Sequence, residues 1–271
     1  MATREVSATI AYAARAEFRQ RYYANDHSRD TVVIEPHAMV LRNARDGETS
    51  LDEEGYKLVA HRSEIADFTD RANVAERHPA EIVALLLDQT GADEVIVTSP
   101  GIVRFSERSG RAGTLDNSMP ARFAHIDTTA QTAAEFARSA VPDGRSFTRH
   151  AQYNVWRAFS GAPQDVPLAV CDARSVSAAD LLVADAIFDP QSTGGASAPE
   201  WSFDSWLVAH NAEHRWHWFP AMTRDEALIF KTSDSAFANP VAHVAFDDPL
   251  AEADWPSRAS IEMRAVAYWY D

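Results

Sequence analysis

Cysteine is nearly absent from this chain: Cys171 is the only one in 271 residues. No intrachain disulfide can form, and this usage fits a reducing cytoplasm. Positive charge is also in short supply, with 25 basic residues against 40 acidic ones and a net charge of −15. The basic residues are scattered, as at Arg62, Arg71 and Arg77. They form no stripe able to neutralise phosphates, so no nucleic-acid partner is expected. The same acidity disfavours docking on anionic membranes. Long hydrophobic runs are missing too, and nothing approaches the roughly 18 to 20 apolar residues of a membrane span. The first long apolar stretch is broken by Arg15, Glu17 and Arg19, unlike a signal peptide. Neither an internal repeat nor a low-complexity tract is visible.

What is present suffices for a full core. Hydrophobic residues make up 46% of the chain, enough for one domain spanning 1–271. Short strand-like pieces come first, at Val6 to Tyr12 and Ala38 to Leu41. The clearest helix runs from His78 to Gln89, with Pro79 at the first helical position and Gly91 as the stop. Glu94 to Thr98 and Ile102 to Phe105 read as strands, and Thr128 or Thr129 caps a helix ending near Ser139. Further strands are expected at Tyr153 to Phe159, Val166 to Cys171, Arg215 to Phe219, Ala227 to Thr232, Ala242 to Phe246 and Ser260 to Tyr268. Loops are expected at Gln191 to Pro199 and Asp247 to Ser257. Many strands between Pro/Gly/Asp turns predict a mainly β fold with flanking helices (α+β), a jelly roll.

One pattern carries chemistry. In His125-Ile126-Asp127 the period of two along a strand puts the imidazole and the carboxylate on one face. A distant histidine would complete the two-histidine, one-carboxylate face that holds non-haem Fe(II) and leaves positions open. His243, at the start of an apolar strand, is the leading third ligand. His214 is the next choice, with His210 and His217 also in competition. Phe123 shares the ligand face and walls the site.

A second pattern lies downstream. Arg258 and Ser260 share one strand face and suit the remote carboxylate of 2-oxoglutarate, since a guanidinium fork makes two parallel charged hydrogen bonds. Glu262 and Arg264 continue that face. Arg264 lies about 20 Å along the strand from Arg258, too far for both to grip one small diacid, and Arg258 is the better candidate. Trp216, Trp218 and Phe219 are candidates for the wall of a substrate pocket.

These residues sit in segments that together resemble a known family. The segments are Ser50 to Asp70, TGADEVIV from Thr90, FAHIDT from Phe123, NVWR from Asn154, CDARSV from Cys171, HRWHWF from His214, and the block from His243 through SIEMR at Ser260 to Arg264. In this order the chain resembles the cephem 7-hydroxylase component and the gibberellin-desaturase-like oxygenases of natural-product pathways. The resemblance implies a double-stranded β-helix (cupin-like) and an Fe(II)- and 2-oxoglutarate-dependent hydroxylase or desaturase that acts with O2 on a small molecule. It supports His125, Asp127 and His243 as metal ligands and Arg258 as the clamp, and adds Asn154 and Arg157 as residues near the cosubstrate. Two positions depart from the family pattern. Thr128 replaces an expected aromatic, and Trp216-His217-Trp218-Phe219 replaces a Tyr-Tyr-Phe-like run. Both bear on the substrate more than on the iron.

Three other readings remain open at this level: a metalloenzyme on the same barrel that does not use 2-oxoglutarate, a non-catalytic binding jelly roll, and a subunit that needs a partner biosynthetic enzyme. The acidic surface is compatible with a monomer or a homodimer.

Overall fold

The computed structural model describes residues 5–190, 200–237 and 240–271. The loop expected at Gln191 to Pro199 lies outside the described residues. The strands are β1 (Glu5–Ala13), β2 (Gln20–Tyr23), β3 (Ile34–Asn43), β4 (Tyr56–Ala60), β5 (Glu94–Val97), β6 (Ile102–Phe105), β7 (His125–Ile126) and β8 (Arg149–Ala158). They continue as β9 (Leu168–Cys171), β10 (Leu181–Phe188), β11 (Trp201–Val208), β12 (Trp216–Trp218), β13 (Glu226–Asp234), β14 (His243–Ala245) and β15 (Ala259–Trp269). Among the described residues two α-helices accompany them, α1 (Arg71–Thr90) and α2 (Ala130–Ala140).

Among the described residues the strands form two sheets. The nine-stranded sheet runs β1-β3-β12-β9-β14-β7-β11-β10-β2, and the six-stranded sheet runs β4-β13-β8-β15-β5, with β6 also paired to β15. Trp156 and Phe230 of the second sheet meet Leu168 and Val170 of the first in one buried cluster, so the sheets pack face to face. This is the jelly roll expected from the sequence, mainly β with two helices outside.

The central pair β8 and β15 shows how the pattern sorts its faces. Along β15, Ile261, Met263, Ala265 and Ala267 point outward into a core with Ala151, Tyr153 and Val155 of β8. Helix α1 closes that core with Val74, Ile82, Leu85 and Leu86, each contributing about 1.5–3 kcal/mol by leaving water. The alternate residues Ser260, Glu262 and Arg264 face the other sheet. Their register partners on β8 are Ala158, Trp156 and Asn154.

Helix α1 corrects the expected start at His78. Asp70 caps it, accepting from the Asn73 N–H at 3.2 Å, and Pro79 lies in its interior. The buried stripe at Val74, His78 and Ile82 continues through the proline with helical spacing. Tertiary burial here outweighs the loss of one backbone bond. The end falls as expected, with Gly91 at φ 63° donating to the Leu87 carbonyl. Thr129 caps α2, accepting from Thr132 N–H. Strands β2, β4, β10 and β11 were not among the expected elements, and β3 extends further than the apolar stretch Ala38 to Leu41 suggested. The segment Asp247 to Ser257 carries no strand or helix, as expected.

Candidate metal centre

Short strands β7 and β14 are neighbours in the nine-stranded sheet, and their register pairs His243 directly with His125. Asp127 follows β7 and returns to the face of His125. The donor atoms of His125, Asp127 and His243 all lie within 4.8 Å of one another. Each histidine Nε2 approaches Asp127 Oδ1, at 3.7 Å for His125 and 3.9 Å for His243. All three residues are buried.

The outer nitrogens settle the tautomers. His125 Nδ1 lies 3.0 Å from the Phe123 carbonyl, and His243 Nδ1 lies 3.4 Å from the Val241 carbonyl. A carbonyl only accepts, so each Nδ1 carries the proton and each Nε2 turns its lone pair inward. Burial keeps both rings neutral, pushing His125 down to about 3 and lowering His243 as well. Burial alone would raise the Asp127 carboxyl. The Arg264 guanidinium, with the hydrogen bond from Asn154, outweighs it and holds the group well below the usual carboxylate range. Two neutral imidazoles and one carboxylate are the protonation states a divalent ion requires.

The six-stranded sheet secures the carboxylate. Asn154 Nδ2 donates to Asp127 Oδ2 at 2.6 Å, and Arg264 Nη2 donates to Oδ1 at 3.0 Å. Arg264 Nε donates in turn to Glu262 Oε1 at 3.0 Å. Asn154 therefore orients the candidate ligand Asp127.

A narrow cavity leads from the histidines to Arg258, lined by Arg104, His125, His243, Arg258, Glu262 and Arg264. Arg258 is 1% exposed. Its Nε and Nη2 find no hydrogen-bond partner among the described residues, and neither does the Ser260 hydroxyl. Burial, with Arg104 and Arg122 nearby, lowers the guanidinium to about 9. A buried cation with two idle donors is costly unless an anion arrives to meet them. The donor set and protonation states thus suit an iron ion, and the idle donors of Arg258 suit an anion.

Several expected residues fall elsewhere. Arg157 is turned away from the site, on the β8 face opposite Asn154. It donates to the carbonyls of His61 at 2.6 Å and Arg224 at 2.7 Å, and it touches the His61 ring. Its expected place beside the cosubstrate is therefore corrected: three residues along a strand reverse the face. Trp216 and Trp218 are packed into the core with Ile10 and Leu41, and Phe219 lies in the cluster with Trp156. None of the three lines a cavity that opens on Asp127. His214 is held between Tyr12 Oη at 3.1 Å and Asp180 Oδ2 at 3.3 Å. His210 stacks on His37 with ring centroids 3.6 Å apart, and His217 lies beside Tyr56. None of these joins the metal group, which leaves His243 as the third member.

With the site in view, the chain can be set against known proteins. The profile of the Oxidoreductase/YMDC permease-like domain family matches residues 10–268. The chain belongs to that family. Among its curated relatives is the hydroxylase/desaturase efuI of Hormonema carpetanum, 31% identical over 244 residues, covering 84% of this chain and 81% of the relative. Another is the α-ketoglutarate-dependent dioxygenase phiK of a fungal species, 30% identical over 234 residues, covering 82% and 80%. A solved structure, the iron and α-ketoglutarate-dependent endoperoxidase NvfI, superposes with a TM-score of 0.82 at 22% identity over 100% of both chains, and shows the same fold. Among the described residues of this Oxidoreductase/YMDC permease-like member, no helix is long and apolar enough to cross a membrane.

The sequence reading passed over two residues of this oxidoreductase. Arg264 was set aside in favour of Arg258, although its parity with Ser260 on β15 already placed it on the inner face. Arg104 reaches the same cavity from β6, where it pairs with Ser260. Only long-range strand pairing reveals it.

Proposed function

We propose that this oxidoreductase holds Fe(II) on His125, Asp127 and His243 and binds 2-oxoglutarate with its remote carboxylate on Arg258 and Ser260. Together they oxidise a C–H of a small natural product with O2, by hydroxylation or desaturation. The observation that carries this reading is the buried Arg258, whose two idle donors share one cavity with His125 and His243. A metalloenzyme without a diacid cosubstrate has no use for such a group. The iron–2-oxoglutarate pair would supply the oxidant: O2 and 2-oxoglutarate become succinate and CO2, and the second oxygen atom either enters the substrate as a hydroxyl or leaves as water with the two hydrogens removed in desaturation.

The chain's own residues prepare that chemistry. The Phe123 and Val241 carbonyls orient the two imidazoles. Asn154 and Arg264 hold Asp127 from the opposite sheet. Buried ligands and the apolar walls around them exclude water, which strengthens every charge interaction inside. Because both sheets contribute to one site, we read residues 1–271 as a single catalytic domain. The one cysteine, Cys171, is free and buried, which suits a reducing cytoplasm.

The test is succinate formation from 2-oxoglutarate with Fe(II) and O2, followed in the wild-type protein, His243→Ala and Arg258→Gln. The reading expects succinate from the wild-type protein and background levels from both variants. Succinate output that is the same in all three would overturn it.

A further inference from the structure

We infer that the molecule oxidised at this site carries a carboxylate, and that Arg104 receives it in a cavity shared with His125 and Asp127. This rests on the oxygenase reading and names a feature of its substrate. The cavity holds about 430 Å³, a size that takes a drug-sized ligand. His125 and Asp127 line it together with Tyr22, Ile34, Phe123 and Phe203. A ligand held there lies beside the metal centre.

Arg104 stands on β6, directly across from Ser260 of β15. Residues opposite each other in an antiparallel pair share a face, so its side chain enters the space between the sheets. The guanidinium is partly buried, and it lines both this cavity and the narrow channel to Arg258. Its Nη1 donates to the Met119 carbonyl. Met119 lines the cavity and not the channel, so this bond anchors the fork on the substrate side. Among the described residues that carbonyl is its one acceptor, and no ion pair engages it. Burial lowers its pKa, Glu262 counters this and Arg264 adds to it. Glu262 is already taken, accepting from Arg264 Nε at 3.0 Å.

The other charges lining the cavity or the channel have partners. Arg122 meets Glu107 and Asp247 at 2.8 Å each. His27 meets Asp30 at 3.2 Å, and Asp30 also accepts from the Tyr23 N–H at 2.7 Å. Arg264 is shared by Asp127 and Glu262 at 3.0 Å each. For the remote carboxylate of 2-oxoglutarate, Arg258 and Ser260 already offer idle donors and a hydroxyl. A divalent ion and a dianionic cosubstrate bring equal and opposite charge. The loaded site therefore leaves Arg104 as the cation still without a counterion. Such a group is costly in a water-poor site. A carboxylate meets it with two parallel charge-assisted hydrogen bonds. An amine would face a like charge, and a neutral ligand would leave the positive charge unpaired.

The experiment compares 2-naphthoic acid, its neutral isostere 2-naphthamide and 2-(aminomethyl)naphthalene, with benzoic acid and benzamide as a smaller pair. Each is titrated calorimetrically into enzyme loaded anaerobically with Fe(II) and saturating 2-oxoglutarate, and loading is verified first by visible absorption. Each acid is expected to bind about tenfold or more tighter than its amide, and the amine more weakly than either. Arg104→Met should erase the acids' advantage while the amide affinities and the 2-oxoglutarate titration stay unchanged, which reports an intact fold and clamp. Arg104→Lys should recover part of it, since the charge returns without the fork. The wild-type comparison decides by itself should neither variant fold. Acids that bind no better than amides, no binding by any probe, or an advantage that survives Arg104→Met overturns the inference and leaves the oxygenase reading intact. So does loss of the visible band on adding an acid, which would place the acid on Arg258 or the iron. A weakened 2-oxoglutarate titration in Arg104→Met would likewise overturn it, by making Arg104 part of the clamp. Failure of the loading step overturns the oxygenase reading itself, and the inference falls with it.

Discussion

Arg264 on β15 reaches across from the six-stranded sheet and donates to Asp127 Oδ1 at 3.0 Å, the oxygen that the Nε2 atoms of both histidines also approach. The carboxylate proposed as a ligand is thus fixed by a residue outside the proposed ligand set. Outer partners of this kind typically account for 10–100-fold in metal affinity. Arg264→Gln should therefore weaken Fe(II) or Co(II) binding by about 10- to 100-fold while Arg264→Lys recovers part of it. Anaerobic calorimetry reads the affinity, and the Co(II) visible spectrum reports whether Asp127 has changed its coordination. Unaltered affinity and spectrum would show that the contact is incidental.

The Arg258 guanidinium should couple ligand binding to stability. Filling its idle donors with a carboxylate removes the cost of a buried, unpaired cation. A ligand at a hundred times its Kd stabilises by about 2.7 kcal/mol, which for a chain of this size is a rise in Tm of about 5 °C or more. Thermal unfolding with and without 2-oxoglutarate should show that rise in the wild-type protein and none in Arg258→Met. The variant alone should melt at or above the wild-type temperature, since the uncompensated charge is gone.

His214 separates a structural histidine from a ligating one. Burial lowers its pKa below the ordinary histidine value. The unfolded chain therefore takes up a proton near pH 6.5 that the native chain refuses. The stability tied to the neutral ring is fully present above about pH 6.5 and is lost as the pH falls from there toward the lower folded value. His214→Gln should flatten that acid slope, by at most about 1.4 kcal/mol per pH unit, and leave Co(II) affinity unchanged. His243→Gln should abolish metal binding.

Arg157 should behave as a structural residue. Its guanidinium is buried and donates to the carbonyls of His61 and Arg224 on two neighbouring segments, tying them together. Arg157→Met is expected to cost about 3 kcal/mol of stability in denaturant titrations, with 2-oxoglutarate affinity within about twofold of wild type at a temperature where the variant remains folded.

Much of this was legible in the sequence because strand parity is a local rule. The alternation in His125-Ile126-Asp127 and in Arg258 to Arg264 fixes which side chains share a face before any partner strand is known. The same rule already set Arg157 opposite Asn154, and family resemblance alone brought it toward the cosubstrate. What stayed hidden depends on pairing at long range. Nothing local says that His243 lies across from His125, that Arg104 lies beside Ser260, or that Arg264 rather than a nearer residue holds Asp127. Trp216 and Trp218 misled in a different way: an aromatic cluster looks the same in a core as in a pocket, and Trp216 donates its Nε1–H to Tyr12 Oη deep inside the fold. Helix α1 began earlier than expected because Pro79 was read as a boundary, whereas the apolar stripe on either side of it keeps the helix intact.

The most direct measurement is an anaerobic titration of the metal-free protein with Fe(II) and then 2-oxoglutarate, watching the weak visible absorption of a keto acid chelated to iron. The account predicts that the band appears in the wild-type protein, is lost in His125→Ala and is weakened in Arg258→Ala. Iron binding without the band at saturating 2-oxoglutarate would contradict the Arg258 clamp and favour a metalloenzyme that does not use this cosubstrate, and no iron binding at all would contradict the metal centre itself.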